Sequence, residues 1–272
     1  MGVDRKDFSG AANWQIPREL PDLRRVGIVA LDTETSDAGL RAGRGSSWPW
    51  RDGHVCGISV AWRDDSGIRG NYFPLRHPDS QNFDRENVTR WLKDHIAAGV
   101  KFTTQNGLYD WGWLRADLVV AMPPSDQLDE IGALATLIDE NLFQYSLDAL
   151  CKHYGLPGKD TALLEEAIKA AGFKISKQNP LQSYIWQMPA RYVGRYAEAD
   201  PIATLRLFES LDPILDREGT RAAYRLDVDL LPMVHEMRRR GIRVNPECGP
   251  TGSRSLPAKT RLLSCRNSLA AP

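Results

Sequence analysis

Asp32 and Glu34 close the stretch Gly27 to Glu34, GIVALDTE, with one residue between them and an unbroken apolar run before them. Ile28, Val29, Ala30 and Leu31 read as a central strand, since a strand covered on both faces needs no polar alternation. Side chains alternate along a strand, so the two carboxylates point the same way, about 6–7 Å apart. Carboxylates so placed repel unless a cation lies between them, which makes the pair half of a divalent-metal site. A strand running into an exposed acidic turn would carry the same residues, so partners elsewhere in the chain decide between the two readings.

Candidate partners stand in three further stretches. TQNGLYDWGWL sets Asn106 and Asp110 four residues apart. If a helix begins near Gly107, Asn106 opens it and Asp110 lies one turn later, facing back over the strand ends or answering the helix dipole. YAEAD sets Tyr196 and Asp200 one helical turn apart, although Pro201 disfavours helical geometry at Asp200 and leads us to expect a kink or a fresh helix start there. HYGLPGKD at 153–160 is a glycine and proline turn carrying Lys159, suited to a substrate phosphate or to solvent.

The elements that must position these side chains follow from periodicity. Val55 to Trp62 and Ile68 to Phe73 read as two strands joined by a turn at Asp64–Gly67. Asp84 caps a helix with Val88, Trp91, Leu92 and Ile96 at helical spacing and Gly99 at its end. A fourth strand, Val100 to Thr104, follows. Strand, strand, strand, helix, strand is the order of a mixed sheet flanked by helices, an α/β fold. Helices are then expected over Leu128 to Ile138, Ser146 to Tyr154, Thr161 to Ala171 and from Pro189 onward, and over Thr220 to Arg240 with Leu226, Leu230, Val234 and Met237 on one face. SDAGLRAGRGSSWPWRDG, after Glu34, reads as a mobile loop whose arginines and tryptophans suit gripping a nucleic-acid strand, or as a solvated connection with one pinned tryptophan.

The chain has 272 residues, 42% of them hydrophobic and 26% charged, the range of ordinary globular proteins with a substantial core. Lys plus Arg and Asp plus Glu both number 35, so the charge balance neither demands nor excludes a polyanionic partner. Cys56, Cys151, Cys248 and Cys265 form no CxxC pair, which argues against a zinc cluster or a disulfide scaffold and for a reducing cytoplasm. The N-terminal residues lack the apolar core of a signal peptide, Lys6 stands where a myristoylation signal needs Ser or Thr, and no run suits a membrane span.

Taken together, LDTET at 31–35, QNGLYD at 105–110 and YAEAD at 196–200 resemble, in motif and in order, the DEDD 3′-5′ exonucleases of the tyrosine subclass. The resemblance is strongest to the proofreading domain of bacterial and phage family A DNA polymerases and spans roughly residues 25–215. It implies a ribonuclease H-like mixed sheet flanked by helices. It also implies two divalent cations, Mg²⁺ or Mn²⁺, held by Asp32, Glu34, Asp110 and Asp200. Asp32 would bridge the ions, Glu34 and Asp200 would complete the first site, and Asp110 would hold the second mainly through water. Tyr196 would orient the attacking water, and Thr35, Asn106 and Tyr109 match positions that contact the substrate's 3′ end. The histidine subclass would need a histidine at position 195, where this chain has Arg195.

The implied substrate is a single-stranded or frayed DNA 3′ end, with a DNA polymerase subunit or domain as partner and no membrane. The expected location is the bacterial cytoplasm, or that of the host if the chain is phage-encoded. YRLDVDLLPMVHEMRRRGIRVN at 224–245 resembles the helix and strand that open the polymerase domain of such enzymes. The expected organisation is therefore a leader over 1–24, the exonuclease domain over 25–217, this polymerase-like start over 218–245, and a disordered tail over 246–272, as from a truncated or split polymerase gene. Two rival readings share the fold: a ribonuclease D-like enzyme trimming RNA 3′ ends, and a non-catalytic module binding nucleic acid or polymerase.

Overall fold

The apolar run around Val29 does form the central strand, β1, Val29–Asp37. It runs on past Glu34, so the paired acids lie inside the strand instead of at its end. A register shift on the partner strand between Glu34 and Thr35 lets Thr35, Ser36 and Asp37 keep pairing beyond the acids. The computed structural model describes residues 13–243, and the chain divides into two compact units, Met1–His235 and Glu236–Pro272.

In the first unit β1 pairs antiparallel with β2, Gly53–Asp64, which pairs antiparallel with β3, Gly67–Pro74. Between β2 and β3 the Asp64 carboxylate accepts from Ser66 N at 2.8 Å, and Gly67 supplies the φ of 120° that the turn requires. Asp84 caps α2, Arg85–Ala97, by accepting from Asn87 N at 2.8 Å. The chain then returns as β4, Phe102–Thr104, parallel to β1. A fifth strand, β5, Leu128–Glu130, pairs parallel with β4 and completes the sheet order β3-β2-β1-β4-β5. The sequence reading placed these three residues in a helix. That helix, α4, begins only at Ile131 and ends at Ile138; the three residues before it, Leu128, Asp129 and Glu130, are too few to show the period of either element.

Helices cover the sheet as expected. α3, Gly107–Leu118, packs on β1 and β2, and the 29-residue α7, Ala190–Glu218, crosses β1, β2 and β3. α5, Leu147–His153, and α6, Ala162–Ala170, pack on α7. Pro201 neither ends nor restarts α7, which runs through both Pro201 and Pro213. Proline removes one helical donor, but Val193, Ala197, Ala203, Leu207, Leu211 and Leu215 are buried along the helix on both sides of Pro201, and that packing holds it together.

Two other expectations change. Residues 13–24 are pinned rather than loosely packed: Leu23 is buried and its N–H donates to His95 Nε2 at 3.0 Å, while Trp14 Nε1 donates to Glu198 Oε1 at 2.8 Å. In α8, Arg221–Arg240, the buried residues are Tyr224, Val228 and His235, whereas Leu226 and Leu230 of the expected face are exposed. Tyr224 can be buried because its hydroxyl donates to Asp129 Oδ1 and accepts from Glu130 N, both at 2.9 Å. In the second unit Arg239 Nε donates to Glu236 Oε2 at 2.9 Å. The strand expected over Arg243 to Asn245 lies largely, and the tail from Pro246 wholly, outside the described residues.

Candidate metal centre

On β1 the period of two sends Asp32 and Glu34 to one face, where Asp200 of α7 meets them. One carboxylate oxygen from each of the three residues lies within 4.8 Å of the others. Glu34 and Asp200 are buried and Asp32 is half-buried. Burial, together with the charges of Asp110, Asp200 and Glu34, pushes the Asp32 carboxyl well above its ordinary range. Glu34 rises to about 8, through burial first and Asp200 second, and burial raises Asp200 as well. Carboxylates this close cannot all ionise without a compensating cation.

Asp110 stands beside this group, tied into the sheet. The Thr33 N–H and the Thr33 hydroxyl both donate to its Oδ1, at 3.0 and 2.7 Å. These bonds offset part of the burial that lifts its carboxyl to about 7. Asn106 does open α3, but its side chain makes no capping bond. The anchoring of that helix end falls to Glu130 at the end of β5. Its Oε2 accepts from Gly107 N and from Thr104 Oγ1, both at 2.8 Å. A Cβ at position 107 would meet Thr104 Oγ1 at 2.5 Å and Glu130 Oε2 at 3.0 Å, so the glycine is what admits the carboxylate.

Tyr196 is buried one turn before Asp200, in a second core cluster that also contains Leu164, Ile168, Leu181, Ile185 and Tyr192. Its hydroxyl accepts from Gln182 Nε2 at 3.2 Å. Burial, then Glu34 and Asp200, push that hydroxyl far above its ordinary range, so it stays protonated. Thr35 and Tyr109 face each other with 2.5 Å between their oxygens. The segment after β1 contains the one-turn helix α1, Ala38–Arg41, and a tight turn over Trp48–Trp50. Asp37 holds it through Gly39 N, Leu40 N and the Ser47 hydroxyl, and Trp113 Nε1 reaches the same carboxylate at 3.1 Å. Trp48 is buried and Trp50 exposed.

Glu130, Gln182 and Lys159 are the neighbours that the sequence reading either did not single out or left ambiguous. Lys159 Nζ lies 2.5 Å from Asp200 Oδ1 and 5.1 Å over the Tyr196 ring. The only signal for it was a lysine in a tight turn. For Glu130 and Gln182 the sequence carried none, because their partners lie on other elements. A cavity of about 320 Å³, lined by Lys159, Arg195, Glu198 and Arg206 among others, opens beside Lys159. A larger one, about 530 Å³, lies where β1 and β4 begin, lined by Ile28, Lys101 and Arg225 and away from the carboxylates.

The donor set fits a hard divalent cation. It is all oxygen, its carboxyls are raised by burial first, and Glu34 Oε1 is buried without a hydrogen-bond partner.

No protein-family model matches the chain. It is 30% identical over 241 residues to a DNA-directed DNA polymerase of Pseudomonas phage M6, an alignment covering 86% of this chain and 34% of that protein. To the DNA polymerase DpoZ of Salmonella phage PMBT28 it is 27% identical over 227 residues, covering 84% and 33%. To DNA polymerase I of Rhizobium leguminosarum it is 26% identical over 265 residues, covering 85% and 22%. The chain thus spans about a third or less of the length of these relatives. Among solved structures it is similar to Brucella melitensis NrnC with bound Mg²⁺, at a TM-score of 0.54 and 18% identity over 82% of this chain and 90% of that one. The same protein bound to pGG gives a TM-score of 0.52, with the same identity and coverage. The shared fold is the ribonuclease H-like α/β sheet expected from the sequence.

Proposed function

We propose that the chain is a metal-dependent 3′-5′ exonuclease module that removes nucleotides from DNA 3′ ends and serves a family A-type DNA polymerase as its proofreading part. The observation that carries this is the meeting of Asp32, Glu34 and Asp200 around the unpartnered Glu34 Oε1, with Tyr196 alongside. The similarity to DNA polymerases over most of the chain, and to a nuclease in fold, supports the reading.

In this reading Asp32, Glu34 and Asp200 would hold one divalent cation, and Asp110 would help to hold a second. Bound divalent cations neutralise charge on the phosphodiester and make a water more acidic. The remaining roles fall to the chain itself. Thr33 fixes one oxygen of Asp110 with two hydrogen bonds and so holds the carboxylate in place. Tyr196, steadied by Gln182 and kept protonated by burial, orients the attacking water as a hydrogen-bonding partner and not as a base. Thr35 and Tyr109, joined hydroxyl to hydroxyl, and Asn106 at the head of α3 receive the 3′-terminal nucleotide.

A second reading, a ribonuclease D-like enzyme trimming RNA 3′ ends, would use the same fold and the same Tyr196 and Asp200 motif. One experiment tests both. Purified protein is given 5′-labelled single-stranded DNA, and separately RNA of the same sequence, with Mg²⁺, beside EDTA and Asp110→Ala controls. A 3′-to-5′ DNA ladder lost in both controls is the expected result. Degradation of RNA alone selects the second reading, and cleavage of neither by a folded, metal-binding protein points to a non-catalytic module.

A further inference from the structure

Lys159 enters the carboxylate cluster from a turn whose other residues stay outside. Pro157, Gly158 and Asp160 are exposed, whereas the Lys159 side chain is only 13% exposed and its partner Asp200 only 10%. The ammonium lies 2.5 Å from Asp200 Oδ1. It also stands over the Tyr196 ring at 5.1 Å, close enough for the ring face to favour the cation. Its charge bears on Asp32 and Glu34 too, lowering the cost of ionising both. A single flexible side chain therefore brings a positive charge to all three residues that group as metal ligands. Lysine suits this placement: it is a compact point charge on a long stem, able to leave without disturbing the backbone.

We propose that Lys159 is a tethered stand-in for the divalent cation, holding Asp200 in its ligating position in the metal-free protein and giving it up when a cation binds. The inference rests on the metal-dependent reading above. It makes Lys159 a positioning residue that competes with metal, so that the site binds cations more weakly than its carboxylates alone would. Occupancy by lysine and occupancy by metal then exclude each other, a negative coupling between two ligands of one carboxylate.

The test is Mn²⁺ binding by titration calorimetry, and thermal unfolding in EDTA and in saturating Mn²⁺, on the full chain and on Lys159→Met, which keeps the stem and removes the charge. The variant should bind Mn²⁺ about tenfold more tightly, within the range usual for coupled sites. It should melt lower than the parent in EDTA and together with it in Mn²⁺. In an Asp200→Asn background, Lys159→Met should lower the melting temperature in EDTA by less than it does in the parent, since only its influence on Asp32, Glu34 and the Tyr196 ring is left to lose. Unchanged or weaker Mn²⁺ affinity, or an equal loss of melting temperature with and without metal, overturns the proposal and makes Lys159 a structural or metal-supporting group. A variant that folds only in Mn²⁺ supports it. If the parent chain itself binds no Mn²⁺, the metal-dependent reading fails first, and the two failures are told apart.

Discussion

Tyr196 and Glu130 show how burial assigns protonation states around this site. Pushed far above its ordinary range, Tyr196 cannot serve as a base near neutrality, so in the proposed reaction its hydroxyl would contribute orientation. Tyr196→Phe should slow DNA degradation by roughly 10²-fold, the lower end of what a positioned proton-bearing group contributes, while the shape of the pH–rate profile stays the same. A profile that loses its alkaline limb would mean that the hydroxyl ionises during turnover. Glu130 is a group that ionises at a cost to the fold. Burial raises its carboxyl to about 7 from an ordinary 4.5, against the bonds from Gly107 and Thr104. The folded chain therefore holds a proton that the unfolded chain releases earlier. The stabilisation is whole below about pH 4.5 and is lost as pH rises through about 7, on the order of 3–4 kcal/mol in all. Glu130→Gln should remove this component, so that thermal melts of the variant gain on the parent from pH 4.5 to 8. Parallel pH profiles would show that Glu130 is already ionised in the fold. The pairing of Asp32 with Glu34 was legible from the strand period; Asp110 and Asp200 entered only through the resemblance of their motifs, because spacing alone does not say which distant elements meet. Glu130 and Lys159 were not legible, because their partners come from elements distant in sequence.

Elements behaved as their local signals said wherever a cap or a turn residue spoke, as Asp84 does for α2 and Gly67 for the turn between β2 and β3. They departed from those signals where tertiary packing overruled them, as at Pro201 inside α7 and on the buried face of α8. The stretch before β1 is the subtler case. Trp14 docks on α7, bonded to Glu198 and centroid to centroid 6.1 Å from Tyr72. Gly194 is what lets it approach, since a Cβ there would sit 2.1 Å from the indole. Gly194→Ala should therefore cost about 1–3 kcal/mol, as overpacking does, by expelling Trp14. The Trp14→Ala, Gly194→Ala double variant should be no less stable than Trp14→Ala alone, because the clash has gone. Melting curves for the cycle decide it: penalties that simply add would mean that Gly194 and Trp14 act independently and that the leader is not held through this contact.

Across the whole molecule, 35 acidic and 35 basic residues balance, so the placement of the acids matters more than their number. The mixed sheet could be anticipated from the order of strands and helix. Its completion by β5 could not, since three residues carry no periodicity. What the sheet accomplishes is to bring β1 and α7 together at an electrostatic cost: burial raises Asp32, Glu34 and Asp200 alike, the charge of Asp200 raises Asp32 and Glu34 further, and one ammonium compensates in part. Such a fold is stabilised by whatever supplies the missing charge. A cation that binds the folded chain and not the unfolded one adds about 2.7 kcal/mol at a hundred times its dissociation constant. For a domain of this size each kcal/mol moves the melting temperature by about 2–4 °C, so saturating Mg²⁺ or Mn²⁺ should raise it by roughly 5–10 °C over EDTA. Asp32→Asn removes a ligand and also relieves the repulsion. It should therefore match or exceed the parent's melting temperature in EDTA and lose the rise with metal. A parent chain that melts at the same temperature with and without metal would show that the carboxylates tolerate one another without a cation, and the nuclease reading would fall with that result.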